Sequence, residues 1–185
     1  MEAAAQVKRE LRNRYRQDRE QTYIPGSWMH ILNSSEFTNA QCIASYISYG
    51  VEPETSDLNQ AIVKSERTLL VPQLQNDNSL LWFAWDGDLK SLKRKGKIYE
   101  PSTGAAVDSA TIDVIIVPTL HVNRTGYRLG QGGGSYDRTL AEMKAWKIGL
   151  IYGGEVTAED LPVESHDQAL DAVATPEMIL RFTRN

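Results

Sequence analysis

Apolar residues along this chain fall into short blocks divided by polar, glycine-rich or proline-containing stretches, and the blocks alternate between a strand-like and a helix-like spacing. The densest block is Thr111 to Val117. There Ile112, Val114, Ile115, Ile116 and Val117 run with hardly a polar break, as in a strand covered on both faces, which predicts the centre of a sheet. Further strands are predicted at Cys42 to Ser48, Thr68 to Val71 (stopped by Pro72), Leu80 to Trp85, Lys147 to Tyr152 and Ala172 to Ala174. Helical spacing appears from Ala3 to Tyr23, where Val7, Leu11 and Tyr15 form one narrow stripe and Lys8, Arg12 and Arg19 an adjoining strip. Helices are also predicted at Ser27 to Asn33, Asp57 to Arg67, Ser135 to Trp146, and Glu177 to Phe182 with Pro176 in the first turn. Lys90 to Pro101 has little period and reads as a loop with one helical turn at most.

Strands alternating with helices give an α/β sandwich with a mainly parallel sheet, in which ligands collect at the carboxyl ends of the strands. The loops after Ser48 and after Val117 lie there. With 185 residues and no linker, repeat or low-complexity segment, residues 1–185 are expected to form a single domain. No apolar run approaches membrane-spanning length, and the charged N-terminal helix resembles no secretory signal, so a cytoplasmic protein without a membrane partner is expected. Cys42 is the lone cysteine, excludes an internal disulfide and reads as a buried core residue.

Charge changes the picture at two places. The net charge of -4 argues against nucleic acid as a partner, yet Lys8, Arg9, Arg12, Arg14, Arg16 and Arg19 form one basic cluster. Lys90, Lys93, Arg94, Lys95 and Lys97 form a second. Such runs are commonly solvated faces, but two of them in an acidic chain also suit a polyanionic small molecule if they converge.

The candidate chemistry centres on Tyr127 to Arg138, which holds Gly130, Gly132, Gly133 and Gly134 between the central strand and a helix beginning near Ser135. Glycines there free backbone N–H groups to face an anion, and a following helix N-terminus adds to the attraction. The same glycines suit a plain tight turn, since the spacing is neither that of the phosphate loop ending in Gly-Lys-Ser/Thr nor a dinucleotide fingerprint.

At this point the chain resembles a known family. Asp113-Val-Ile-Ile-Val-Pro118 followed by Arg128-Leu-Gly-Gln-Gly-Gly-Gly-Ser-Tyr-Asp-Arg138 is similar to the signature of 5-formyltetrahydrofolate cyclo-ligases. Lys8-Arg-Glu-Leu-Arg12, Glu52-Pro-Glu-Thr55, Leu70-Val-Pro72, Ile98-Tyr-Glu-Pro101, Leu161-Pro-Val163 and His166-Asp167 agree in the same order. The resemblance implies a three-layer sandwich related to sugar-phosphate isomerases and CoA transferases. It also implies a ligase of one-carbon metabolism that uses ATP and Mg2+ to close 5-formyltetrahydrofolate into 5,10-methenyltetrahydrofolate, releasing ADP and phosphate. The formyl oxygen would take the γ-phosphoryl group, N10 would attack the activated carbon, and phosphate would leave.

That chemistry needs donors and cations around the transferring group. By resemblance Lys8, Arg12, Arg128, Gly130, Gln131, Gly132, Gly133, Gly134, Ser135, Tyr136 and Asp137 would bind ATP. Arg128 and Tyr136 would be the catalytic residues, Glu52 and Tyr136 would contact the folate, and Asp137 would hold Mg2+, or instead only stabilise the helix start. The partners expected are reduced folate and ATP, taken by a monomer. Departures from the family pattern stand at Ser135, where many relatives have an aromatic, and at Gln131 and Gly133, where some have basic residues. A non-catalytic nucleotide- or anion-binding module on the same fold is the alternative. His30 and His121 fit no ligand spacing, and His166 is not assigned as a general base.

Overall fold

The computed structural model, which describes residues 2–158 and 161–183, is built on a mainly parallel eight-stranded sheet. In chain order the elements are α1 (Glu2–Thr22), a 3-10 turn (Met29–Asn33), α2 (Ser35–Asn39), β1 (Cys42–Ala44), α3 (Ser56–Lys64), β2 (Thr68–Leu74), β3 (Leu80–Ala84), β4 (Leu92–Lys95), β5 (Ile98–Pro101) and β6 (Ala106–Val107). They continue as β7 (Val114–Pro118), β8 (His121–Asn123), β9 (Arg128–Leu129), α4 (Ser135–Ala141), β10 (Trp146–Leu150), β11 (Val156–Thr157), β12 (Ala172–Ala174) and β13 (Ile179–Arg181). The sheet order is β13-β12-β10-β7-β1-β2-β3-β6. The inner pairs β12-β10, β10-β7, β7-β1 and β1-β2 are parallel; the outer pairs are antiparallel.

The apolar run of β7 alternates between two buried layers, as a strand covered on both faces must. Val114 and Ile116 pack with Phe37, Leu58 and Ile62 from the α2 and α3 side. Ile115 and Val117 pack with Leu140 and Met143 from the α4 side. This gives the expected three-layer α/β arrangement. α1 lies outside both layers and packs through Leu11 and Tyr15 on Leu120, Leu129 and Leu161, with Tyr15 stacked on His121 at 3.7 Å. Val7, expected in the same stripe, is 43% exposed. No described helix is long and apolar enough to cross a membrane.

Four readings of the sequence are corrected. Pro72 does not stop β2, because β1 ends at Ala44 opposite Leu70, so beyond that point the missing N–H of Pro72 interrupts no ladder bond. Lys90 to Pro101 is not a loop: β4 and β5 form a hairpin in register Lys95↔Ile98, turned at Gly96 with φ +64°. The terminal segment is a strand and not a helix. β13 pairs with β12, and Pro176 sits in the turn that Thr175 closes by donating its N–H to Met178 O at 3.0 Å. The fixed φ of proline suits a turn as well as a first helical turn, so pattern alone did not separate the two. Cys42, the first residue of the interior strand β1, is half-buried against the core, its thiol pushed up by desolvation.

Close packing also fixes β10. A Cβ at Gly149 would stand 2.5 Å from Thr119 Oγ1 and 2.7 Å from Leu170 Cδ1. Gly149→Ala is therefore expected to destabilise the fold by about 1–3 kcal/mol, read as a lowered unfolding midpoint; an unchanged midpoint would show that this contact has slack.

Candidate active site

A cavity of about 450 Å³ opens at the carboxyl ends of β1, β2 and β7, the end at which a parallel sheet presents its loops. Lys8, Arg12, Glu52, Arg128, the run from Gly130 to Ser135, Tyr136 and Asp137 all line it. Residues that lie far apart in sequence thus share one cleft. α1 brings Lys8 and Arg12 from one side, the turn after β1 brings Glu52, and the chain leaving β9 supplies Arg128 and the glycines.

The glycine loop owes its shape to Gly132 (φ +107°) and Gly134 (φ +68°), conformations that residues with a Cβ rarely adopt. α1 holds the loop from outside: Arg12 Nε donates to Gly130 O at 3.1 Å and Arg16 Nη2 to Gln131 O at 2.9 Å. α4 spans only Ser135–Ala141, so anion-binding capacity rests on the loop's own N–H groups and the cations beside it more than on a long helix dipole.

The Arg128 side chain is 3% exposed, and its Nη1 donates to Asp137 Oδ1 at 2.9 Å and to Gln168 O at 3.0 Å. Its Nε is buried with no hydrogen-bond partner among the described residues. A buried guanidinium N–H left over at the wall of a cavity is a donor awaiting an acceptor. Asp137 also accepts from Gln168 N at 3.2 Å, so it is tied to the loop carrying His166 and Asp167.

Lys8 is held away from bulk water by two carboxylates that the sequence reading did not assign. Its Nζ donates to Glu164 at 2.8 Å and to Asp167 at 2.5 Å. Burial works against its charge, but these partners outweigh that and hold the ammonium above its usual range, while Glu164 is held below the usual carboxylate range by Lys8. One ligand atom each from Glu164, His166 and Asp167 lie within 4.8 Å of one another. Both acids come from an aperiodic loop; the sequence signal that pointed toward them was His166-Asp167 among the family-like pieces.

Glu52 faces the cavity in a drier setting. It is 9% exposed, and burial raises its carboxyl above the usual range, opposed by the Tyr49 N–H, by Gln131 and by the charge of Arg19. Tyr136 packs edge-on to Trp82 at 6.4 Å, and burial raises its phenol so that it remains a donor. Pro72, Leu74, Leu80, Ile98 and Tyr99 supply an apolar wall that no site prediction included. Cations on one side and apolar surface on the other suit a ligand pair of unequal polarity. Ser135 lines the cavity as well, presenting a hydroxyl where an aromatic was expected from the resemblance.

The two basic clusters meet beside this cleft. Arg16 and Arg19 of α1 and Arg94 and Lys97 of the β4–β5 hairpin line a second recess, which shares Tyr49, Glu52 and Gln131 with the main cavity. Arg19 is buried there against Glu155 and the Thr119 and Leu120 carbonyls, a structural role.

Comparison with known proteins agrees along the chain. The sequence profile of the 5-formyltetrahydrofolate cyclo-ligase family matches residues 4–176. The chain is 31% identical over 147 residues to the 5-formyltetrahydrofolate cyclo-ligase of Mycolicibacterium smegmatis, covering 75% of each protein. It is 29% identical over 147 residues to that of Escherichia coli K12, covering 76% of this chain and 80% of the relative. The solution structure of Aquifex aeolicus 5,10-methenyltetrahydrofolate synthetase superposes with a TM-score of 0.80 at 28% identity, over 97% of this chain and 94% of the other.

Proposed function

The chain belongs to the 5-formyltetrahydrofolate cyclo-ligase family and is an ATP-dependent ligase that cyclises 5-formyltetrahydrofolate to 5,10-methenyltetrahydrofolate; we propose that both substrates meet in the main cleft, ATP on its cationic side and the folate along its apolar wall. The observation that carries this placement is the convergence of Lys8, Arg12, Arg128, the glycine loop and Glu52 on one cavity that the apolar Pro72, Leu74, Leu80 and Ile98 also line.

A formyl oxygen is a weak nucleophile and a poor leaving group. In the proposed reaction it attacks the γ-phosphorus, the bond to the ADP oxygen breaks, and the formyl carbon becomes electrophilic. N10 then bonds to that carbon, the carbon–oxygen bond breaks, phosphate departs, and N10 gives up its proton. The loop N–H groups and the spare Arg128 Nε–H offset charge on the transferring phosphoryl oxygens. Tyr136 donates to a ligand acceptor. Glu52, whose carboxylate burial makes more basic, orients the folate and is suited to accept the N10 proton.

Mg2+ fits this donor set, since a hard cation takes oxygen ligands and Asp137, Glu164 and Asp167 bring carboxylates to the phosphate side of the cleft. Asp137 and Asp167 would hold it with the nucleotide, where it would neutralise charge shared between phosphates. A cation there would draw Asp167 from Lys8 and leave that ammonium freer for phosphate. On this reading the protein acts as a single-domain monomer in the cytoplasm, with small molecules as its partners.

Mixing folded protein with ATP, Mg2+ and 5-formyltetrahydrofolate is expected to produce methenyl-folate absorbance that depends on ATP. Nucleotide binding without that absorbance would overturn the assignment in favour of a non-catalytic module. Lys8→Ala is expected to raise the KM for ATP about tenfold, the scale of one lost charge-assisted hydrogen bond, and the KM for folate far less. Equal rises in both would remove Lys8 from the phosphate site.

A further inference from the structure

Gln131, expected by resemblance to contact ATP, has a side chain that is fixed from both ends within the protein. Arg16 Nη2 and Nε donate to Gln131 Oε1 at 3.0 and 3.2 Å, and Nη2 also donates to the Gln131 main-chain oxygen at 2.9 Å. At the other end Gln131 Nε2 donates to Glu52 Oε1 at 3.0 Å. A guanidinium offers only donors and an ionised carboxylate only acceptors, so these partners permit one orientation of the amide. Neither partner would tolerate its reversal.

Glu52 depends on that amide. Its Oε2 is held by the Tyr49 N–H at 3.2 Å within its own turn, and its main-chain oxygen accepts from Tyr152 at 3.2 Å. Among the described residues Gln131 is the side chain that donates to Oε1, and so the contact that ties the carboxylate to the glycine loop. Tyr49, Glu52 and Gln131 line both the main cavity and the basic recess, whereas Arg16 lines the recess and not the main cavity.

We infer that Arg16 and Gln131 act as a relay that positions Glu52 for the folate, with Arg16 working through the Gln131 amide and touching neither substrate. The inference rests on the reading of Glu52 as the folate-facing carboxylate. It couples the two substrates physically: the loop whose backbone cradles phosphate also carries the amide that aims Glu52, so a correctly seated loop and a correctly aimed carboxylate occur together. The charge state of Glu52 is set by burial, which opposes ionisation, and by the Tyr49 N–H, Gln131 and Arg19, which favour it; the phenols of Tyr46, Tyr49 and Tyr136, raised chiefly by burial, also feel its charge.

The test uses the full chain and four variants, Gln131→Met, Arg16→Met, their double combination, and Glu52→Gln as reference. Each single relay variant is expected to lower kcat/KM for 5-formyltetrahydrofolate about tenfold, the scale of one hydrogen bond to a charged group. Gln131→Met, which keeps the bond from Arg16 to the main-chain oxygen of residue 131, is expected to leave the KM for ATP within about twofold. The double variant is expected to be no worse than either single one, since both cut the same chain. Losing the amide also removes a contact that favours the ionised carboxylate, so the acid limb of the folate kcat/KM profile moves to higher pH. Arg16→Lys, which keeps a donor, recovers part of the loss. Additive losses, a Gln131→Met loss that falls on ATP, or an unmoved acid limb would overturn the relay. If Glu52→Gln is strongly impaired while both relay variants are not, the relay alone fails. If Glu52→Gln behaves as wild type, the reading of Glu52 fails and the inference falls with it.

Discussion

An Arg128→Ala variant is expected to lose about a thousandfold in kcat, close to 4 kcal/mol of transition-state stabilisation, while remaining folded. The size follows from where the guanidinium lies. Its side chain is 3% exposed and its Nε has no partner among the described residues, so at this wall of the cavity it offers a desolvated positive donor to charge that develops on a transferring phosphoryl group. Stability falls less, because Asp137 keeps its bond from Gln168 N and at 20% exposure can be rehydrated. Arg128→Lys should not recover the rate, since an ammonium cannot serve Asp137, the Gln168 carbonyl and a ligand from one planar fork. Steady-state kinetics with a thermal melt decides. A loss that appears only as a lowered melting point would make Arg128 a structural residue.

What the sequence made legible was whatever leaves a local trace. The run from Val114 to Val117 had to be a two-sided strand, and its residues do alternate between the two buried layers. The glycine cluster had to bend sharply, and Gly132 and Gly134 take up left-handed backbone. The hairpin of β4 and β5 left almost none: of the residues in β4 only Leu92 is buried, so the alternation that announces a strand is missing. The family-like pieces brought the cleft's cations to notice, but nothing local pairs Lys8 with Glu164 and Asp167, which contact it across 156 and 159 positions of chain. The apolar wall escaped for the same reason, because Leu80 looks like an ordinary strand residue and Pro72, Leu74 and Ile98 fall outside the predicted strands until the sheet and hairpin set them side by side.

Gly132→Val separates a working loop from a mere turn, and the expected result is a fall of about a hundredfold in kcat/KM for ATP with a change of only a few degrees in unfolding midpoint. At φ +107° a β-branched residue carries roughly 1–3 kcal/mol of strain, which an exposed loop can shed by rotating its peptide groups. That rotation is what costs activity, because the N–H groups that would meet phosphate turn away together. The added side chain also presses toward the Arg12 guanidinium, whose atoms already stand 3.6 Å from the position of the new Cβ and whose Nε steadies Gly130 O. Relaxation of the loop therefore loosens its tie to α1 as well. If turnover were unchanged with the midpoint lowered, the glycines would be serving chain geometry alone, and the phosphate would have to be held by Lys8, Arg12 and Arg128 without the loop.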